Sequence, residues 1–497
     1  MIRAATSFYD FLVRIGEALM AGYGRIVPKM PAGWILFALI VFLMTFPLIV
    51  IRSYHFDEGL TISFALDLYD GGNPWYEPHF FGIRFVERPQ LLGWIIGLIS
   101  WPFGEVHQVV ARLPTVLALY GGALLIHYLL KDYVSRAGAI FGALCFLFAP
   151  AVLIKVVTAE SDVPLSAVSF AAFVLWWRGY RAGRNELWRW AAIGLLLGLT
   201  ALFKGPQPSA FFAVGIGLFL ALRREWAALP GYVLAGAISL SMVVPWYLVV
   251  YDSGDTATWA RFMRLDQDPA FGEYFAEKAK FAIDTFVSLL PGSLAAVVGF
   301  IGFRRFWPET ADRSSARELF IALLFFAAAG TLAVTLWPGG KTRYLFAALP
   351  AIAAMAGLLY DRAATGWRRL FVRTAFGILV ALVVYQAVWN WIVSPVFYER
   401  FADNRISAGR VEEAVKANPA PMYVAYRIGD TMFPYLDFPV RFKIWPELQQ
   451  VEAPAWVLVP TPRLEAYLAA RPDLVAGDRR EMIVKGQSLT LIRLDPR

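Results

Sequence analysis

Long apolar runs, broken by short charged connections, recur along the first 394 residues of this 497-residue chain. The runs fall near 33–52, 106–129, 136–153, 162–179, 188–203, 207–222, 229–251, 283–303, 318–336, 343–361 and 369–394. A helix needs roughly 20 apolar residues to cross the hydrocarbon core of a bilayer. A soluble core needs no such succession of runs, so the pattern predicts an α-helical polytopic membrane protein with about eleven spans. The run Trp34 to Ile51 has no small-residue cleavage site before a mature domain and reads as an uncleaved first span. Residues 5–25 place Phe8, Phe11, Leu12, Ile15 and Leu19 among Arg14 and Arg25, the pattern of an interfacial helix.

The polar connections orient these spans. The N-terminal segment carries Arg3, Arg14, Arg25 and Lys29. Every second connection then repeats the bias, with Lys131 and Arg136, Arg178 to Arg189, Arg223 and Arg224, Arg304 to Arg317, and Arg362 to Arg373. The positive-inside rule puts those loops and the N-terminus in the cytoplasm and the C-terminus outside. Three outward segments are long. Residues 53–105 contain an apolar stretch from Leu91 to Phe103, which reads as lying along the interface. The second runs from Asp252 to Lys280. The third, 395–497, has 14 Lys/Arg and 13 Asp/Glu and reads as a soluble domain. Strands are predicted at Met422–Ala425, Val440–Ile444, Trp456–Val459, Met482–Val484 and Leu489–Leu494, with helices at 408–417 and 461–470. That mixture predicts a small α/β domain after a membrane domain of residues 1–394.

Composition narrows the function classes. The chain is 58% hydrophobic and 17% charged, below the roughly 25% charged of soluble domains. Eighteen Trp and 21 Tyr suit a chain with many membrane interfaces. The lone Cys145 excludes an intrachain disulfide, and His55, His79, His107 and His127 have no zinc-type spacing. The net charge of +8 is spread over short loops, which argues against a nucleic-acid surface.

Candidate chemistry gathers on the outward side. Asp57-Glu58 follows the first span; it reads either as a solvated helix start or as a general base or orienting group for an acceptor. Arg84 and Arg88 read as interfacial anchors or as a clamp for phosphate, which suits a planar guanidinium. Lys204-Gly205-Pro206 and Gly339-Gly340-Lys341-Thr342-Arg343-Tyr344 put cations on outer connections, where the charge rule does not call for them. A phosphate at the outer surface would explain them. Asp162 opens the fourth span after Thr158-Ala159-Glu160-Ser161, as a cap or as a functional carboxylate. Asp266-Gln267-Asp268 matches a metal-binding tripeptide that is common by chance.

Asp57-Glu58 followed by Pro78-His79-Phe80-Phe81-Gly82-Ile83-Arg84-Phe85-Val86-Glu87-Arg88-Pro89 resembles the first outer loop of the aminoarabinose-transferase family. That family is related to protein O-mannosyltransferases and has the C-type glycosyltransferase fold. The resemblance continues in order at Asp162, Lys204-Gly205 and Lys341-Thr342-Arg343-Tyr344, and covers about residues 33–360. It implies an inverting transferase that moves a sugar from a polyprenyl-phosphate carrier to an acceptor, often a lipid A phosphate, outside the bacterial cytoplasmic (inner) membrane. It implies catalytic roles for Asp57, Glu58 and Asp162. It implies a donor-phosphate site of Arg84, Arg88, Lys204, Lys341 and Tyr344, with the 252–282 loop closing over it. The lipid-linked sugar is then a substrate, and the scheme requires no cofactor or metal. Its partners are the polyprenyl-phosphate sugar, a glycolipid or other envelope acceptor, and membrane lipids. The site and the C-terminal domain face the periplasm. Leu60 and Thr61 stand where the family commonly has Arg-Tyr, Arg88 stands for its lysine, and its histidine-containing pattern is not clear around Arg261 to Asp268. A lipid-linked glycan ligase or polymerase, and a multi-span transporter, are the alternatives, although the chain shows no internal repeat.

Overall fold

The computed structural model describes residues 33–497 apart from 56, 71–72, 253–254, 256–270, 303–314, 338–339, 363–366, 397–402, 426–427, 444 and 485. The expected interfacial helix at 5–25 and the Asp266-Gln267-Asp268 tripeptide lie outside the described residues. The chain begins with α1 (Gly33–Ile51), α2 (Glu58–Asp70), the hairpin β1 (His79–Phe80) and β2 (Ile83–Arg84), and α3 (Leu91–Ser100). Then come α4 (Gln108–Leu130), α5 (Arg136–Leu147), α6 (Pro150–Lys155), α7 (Asp162–Arg181), α8 (Leu187–Lys204), α9 (Gln207–Leu222) and α10 (Leu229–Val250). The helical part closes with α11 (Phe271–Ser288), α12 (Gly292–Ile301), α13 (Ala316–Leu336), α14 (Leu349–Tyr360) and α15 (Trp367–Val388).

Each predicted span falls on helix. Among the described residues seven helices are long and apolar enough to cross a membrane, or eight if α11 and α12, bent by 106° at their junction, form one span. This is a multi-pass membrane protein. The other three predicted spans differ for physical reasons. The run 136–153 is broken before Pro150, α9 is short, and α7 carries Arg178 and Arg181 on a helix largely enclosed by other helices. A helix that faces protein needs less apolar surface than one that faces lipid.

The first and last spans are joined at a proline. Pro47 cannot donate to the carbonyl of Leu43, four residues earlier, and a freed backbone group inside a membrane has to find another partner. Trp391 supplies it: its indole N–H donates to the Leu43 oxygen at 3.1 Å. The Asn390 amide donates to the Met44 carbonyl at 2.6 Å. Both residues lie in a π-helical turn, Trp389–Val393, that follows α15.

The C-terminal region is the predicted α/β fold. After α16 (Asn404–Ala417), the strands β3 (Met422–Ala425), β4 (Val440–Lys443), β5 (Ala455–Pro460), β6 (Leu474–Val484) and β7 (Gln487–Pro496) form one sheet. The strand order is β4-β3-β5-β7-β6, parallel around β3 and antiparallel at β7. Its core also takes in Phe64, Phe80 and Phe85 from the 53–105 segment. The two parts meet through the backbone as well. Tyr54 N–H donates to Tyr435 Oη at 2.7 Å, Asn404 donates to the Tyr54 carbonyl at 2.8 Å, and Phe442 N–H donates to the Phe81 carbonyl at 3.0 Å. Gly59 permits this approach, since a Cβ there would stand 2.4 Å from the Asp430 oxygen.

Candidate active site

Glu58 opens α2 and is 0% exposed, as is Arg112 on α4. The guanidinium of Arg112 grips the carboxylate as a fork, Nε to Oε1 at 2.9 Å and Nη2 to Oε2 at 3.0 Å. The same guanidinium donates to the carbonyls of Leu48, Ile49, Arg52 and Ser53 at the C-terminal end of α1, where Gln108 donates as well. Glu58 also accepts from the N–H groups of His55 at 2.7 Å and Ala159 at 2.9 Å. Burial works to raise the Glu58 carboxyl, but the Arg112 and Arg52 charges and these donors outweigh it and hold it below the ordinary range. A buried charge survives only when it is paired and hydrogen-bonded in this way. One carboxylate thus locks the end of the first span to the turn that precedes Asp162.

Asp57, its neighbour, faces the other way. Its side chain is 45% exposed and pairs with Arg343. Burial alone would raise its carboxyl; the Arg343, Lys155 and Lys204 charges together lower it to about 2. Asp162 caps the site from α7, where it pairs with Lys204 and lies 3.9 Å from Lys155. Its Oδ2 is buried without a hydrogen-bond partner. Lys155 also pairs with Glu160. Burial, with Asp162 and Asp57 nearby, pushes the Glu160 carboxyl up to about 7 against the pull of Lys155. Asp57, Glu160, Asp162, Lys155, Lys204 and Arg343 therefore form one connected charge cluster.

A cavity of about 570 Å³ opens beside it. Glu87 and Arg88, Lys204 to Gln207, Tyr247, Leu248, Tyr251 and Tyr344 line it. Gly205 ends α8 at φ +91°, a conformation that favours glycine, and so turns the chain just after Lys204. The Lys204 ammonium lies 5.7 Å from the centre of the Tyr344 ring, which stacks on Trp337. Arg88 forms no ion pair among the described residues, and its Nε is buried without a hydrogen-bond partner. The wall therefore combines a cation available to a ligand with tyrosine rings and aliphatic surface.

Asp57, Asp162, Arg88, Lys204 and Tyr344 converge at or beside this cavity. Arg84 does not line it. It pairs with Glu77 and Asp255, the latter at 2.9 Å, donates to the Val250 carbonyl, and pins the hairpin to the end of α10. Lys341 is exposed and does not line it either. Sequence reasoning passed over Lys155, Glu160 and Arg343 as site residues. Arg343 was visible as the second cation of its motif, and Lys155 and Glu160 as charges flanking Thr158 in an otherwise apolar region. Arg112 gave a signal too, as a lone arginine inside a predicted span. Among the described residues no group of three or more His, Cys, Asp and Glu is placed to hold a metal ion. A second cavity, about 600 Å³ between α2, the hairpin and β4, holds none of the predicted site residues.

Known proteins resemble this chain in sequence and in fold. The family model for dolichyl-phosphate-mannose-protein mannosyltransferase matches residues 87–248. The undecaprenyl phosphate-alpha-4-amino-4-deoxy-L-arabinose arabinosyl transferase of Erwinia tasmaniensis is 25% identical over 362 residues, 69% of this chain and 63% of its own length. The enzyme of the same name from Pseudomonas paraeruginosa is 31% identical over 190 residues, 36% of this chain and 33% of that one. The chain thus spans less than two thirds of the length of these curated relatives. Among solved structures, ArnT from Cupriavidus metallidurans bound to undecaprenyl phosphate superposes with a TM-score of 0.67 at 14% identity, covering 95% of this chain and 98% of that one. Its apo form gives the same TM-score at 15% identity. The likeness first read from Asp57-Glu58 and the arginine motif extends to the fold: this protein has the fold of that transferase and is similar in sequence to the aminoarabinose transferases and, over residues 87–248, to the protein mannosyltransferases.

Proposed function

We propose that the protein is an inverting glycosyltransferase that takes a sugar from a polyprenyl-phosphate carrier. The observation that carries this reading is the Arg88 guanidinium, unpaired among the described residues, in one cavity with Lys204 and Tyr344. A lipid-linked sugar phosphate needs such a place, with a cation for the phosphate and apolar surface for the isoprenoid. Counting Arg88, Lys155, Lys204 and Arg343 against Asp57, Asp162 and Glu87, the site carries +1 with Glu160 protonated and is neutral with it ionised. The excess with Glu160 protonated favours a bound anion and stabilises the phosphate as it leaves.

In the reaction, an acceptor oxygen forms a bond to the anomeric carbon while the bond from that carbon to the carrier phosphate breaks. The electron pair departs on the phosphate oxygen. A polyprenyl phosphate is stable as an anion, so cations replace a protonating acid. Asp57, held at about 2, is ionised at neutral pH but poorly matched to remove a proton from a hydroxyl. An already ionised phosphate acceptor, such as that of lipid A, requires no such removal, and Asp57 then orients the acceptor or the sugar. Glu58 acts through position, holding the Asp57 turn against the Asp162 turn. The long outward segments and the C-terminal sheet lie in the periplasm in this reading, with the N-terminus in the cytoplasm.

Purified protein in nanodiscs, given a panel of undecaprenyl-phosphate sugars beginning with 4-amino-4-deoxy-arabinose and a phosphorylated glycolipid acceptor, tests the reading by mass spectrometry. Transfer from one donor, lost in Asp57→Asn, is expected. Full transfer by folded Asp57→Asn would overturn the role of that carboxylate, and solute transport without sugar transfer would overturn the function.

A further inference from the structure

The cavity of about 600 Å³ between α2, the hairpin and β4 takes no part in the charge cluster. Two distant stretches of the chain build it, within residues 63–82 and 433–441, so it exists only where the 53–105 segment meets the C-terminal sheet. Small-molecule sites favour such junctions and have roughly 300–1,000 Å³. Gly59, Ser63, Leu66 and Asp67 share the α2 face that turns to this junction, at the helical spacing of three and four residues.

The polar lining is mostly acceptor. The Asp67 carboxylate is held by the Asn73 amide at 2.8 Å and the His79 N–H at 3.1 Å, with 15% of its side chain still exposed. A carboxylate only accepts, so the Asn73 NH₂ group faces Asp67 and its own oxygen is left over as an acceptor on an exposed residue. Asp437 is 58% exposed and pairs with Lys416 through one oxygen. Arg441 is exposed, and its stem lies 3.9 Å from where a Cβ on Gly82 would stand. Counting Asp67 and Asp437 against Arg441, the lining carries −1 with His79 neutral and no net charge with it protonated. A phosphate gains nothing from such a wall.

Phe81, Phe433 and Phe438 add aromatic surface. Phe81 has φ +48° and Gly82 φ +87° in the two-residue turn between β1 and β2. Such turns favour Asn-Gly, and a bulky residue at positive φ is strained. The Phe81 ring nevertheless occupies this place, 5.5 Å from the Phe433 ring and 5.3 Å from that of Phe442, on the wall of the cavity. Strain of this kind collects at ligand sites. Carboxylate and amide acceptors beside aromatic surface match a ring with hydroxyl or amino donors on its edge and C–H groups on its face, which is a sugar. Along α2, Ser63 and Asp67 stand roughly 9 and 15 Å beyond Asp57, the reach of a di- or trisaccharide.

We propose that this cavity holds an unphosphorylated sugar ring of the acceptor glycan, while a group further along the same glycan, such as its phosphate, meets Asp57. The assignment to the acceptor rests on the transferase reading; the binding of sugar does not. Full-length protein in nanodiscs is given a panel of soluble disaccharides built from glucose, galactose, mannose, glucosamine and N-acetylglucosamine, with binding read by saturation-transfer NMR. At least one should bind, and neither inorganic phosphate nor undecaprenyl phosphate should displace it. Asp437→Ala, at an exposed position, should weaken that binding about fivefold, the worth of one hydrogen bond. Pro439→Trp, also exposed, fills the cavity from its rim and should abolish it. In transfer assays Pro439→Trp should raise the acceptor KM about tenfold at an unchanged donor KM. No bound disaccharide, displacement by either phosphate, or binding unchanged in both variants overturns the proposal. Binding lost in Pro439→Trp with an unchanged acceptor KM overturns the assignment to the acceptor. Sugar bound here by a protein that transfers none would keep the site and overturn the transferase reading instead.

Discussion

Glu58→Gln removes one charge from a pair that has no access to water. The Arg112 guanidinium is left buried with its four carbonyl partners but without its counter-ion. Breaking a buried pair by removing one member costs about 3–5 kcal/mol. Because those carbonyls still hold the guanidinium, the loss should fall near the lower end, about 3 kcal/mol. Arg112→Met is worse: it strands the carboxylate with Arg52 at 3.9 Å and two N–H donors, and leaves the carbonyls at the end of α1 with Gln108 as their side-chain donor. About 5 kcal/mol is expected there. The double variant removes both members of the pair and leaves Arg52 with the Val157 carbonyl, so it should be more stable than the sum of the two single losses by up to about 3 kcal/mol. Reversible unfolding in mixed micelles, titrated with SDS, measures all three. Single losses below about 1 kcal/mol, or strict additivity, would refute the view that this pair is a desolvated lock. A loss in kcat with an unchanged donor KM in Glu58→Gln would show that the lock acts by placing Asp57.

Arg88→Ala should raise the donor KM by roughly 30-fold, the worth of a charge-assisted hydrogen bond of about 2 kcal/mol, with Arg88→Lys recovering part of it. Titration of transfer rate against donor concentration reads this. Arg343→Ala should reduce kcat at least tenfold by freeing Asp57, whereas Lys341→Ala, at an exposed position outside the cavity, should change it less than threefold; the reverse order in steady-state assays would overturn the placement. Glu160 binds its proton more tightly folded than unfolded, so its contribution to stability falls as pH rises from about 4.5 to about 7. The cluster loses one positive unit over the upper part of that window, and donor KM should rise through pH 7 in wild type but stay flat in Glu160→Gln.

The spans were legible because lipid demands apolar length, and all eleven runs became helix. The strands of the C-terminal sheet were legible for a similar reason: β3 and β5 alternate with turn-rich segments and are buried, so their sequences are short and apolar. The charged site was only half legible. Asp57, Asp162 and Lys204 stand beside helix ends in the sequence and remain there in the structure. Arg84 and Lys341 carry the same chemistry and the same local signals, but pairing is decided across the fold. Asp252 and Asp255 take Arg84, and the chain path at Thr342 turns Arg343, not Lys341, toward Asp57. No local pattern reports which of two cations two residues apart will face a carboxylate some 280 positions away.

The contact between the 53–105 segment and the C-terminal sheet sets an order of events in biosynthesis. Tyr54 and Gly59, on either side of Asp57, reach their final neighbours only when Asn404, Asp430 and Tyr435 exist. Some 345 residues of chain, and nearly all of the membrane insertion, separate the synthesis of the two halves. The turn that presents Asp57 is therefore completed only after residues 404–435 have been made. A nascent or C-terminally clipped chain lacks the frame of that carboxylate even when every span is in place.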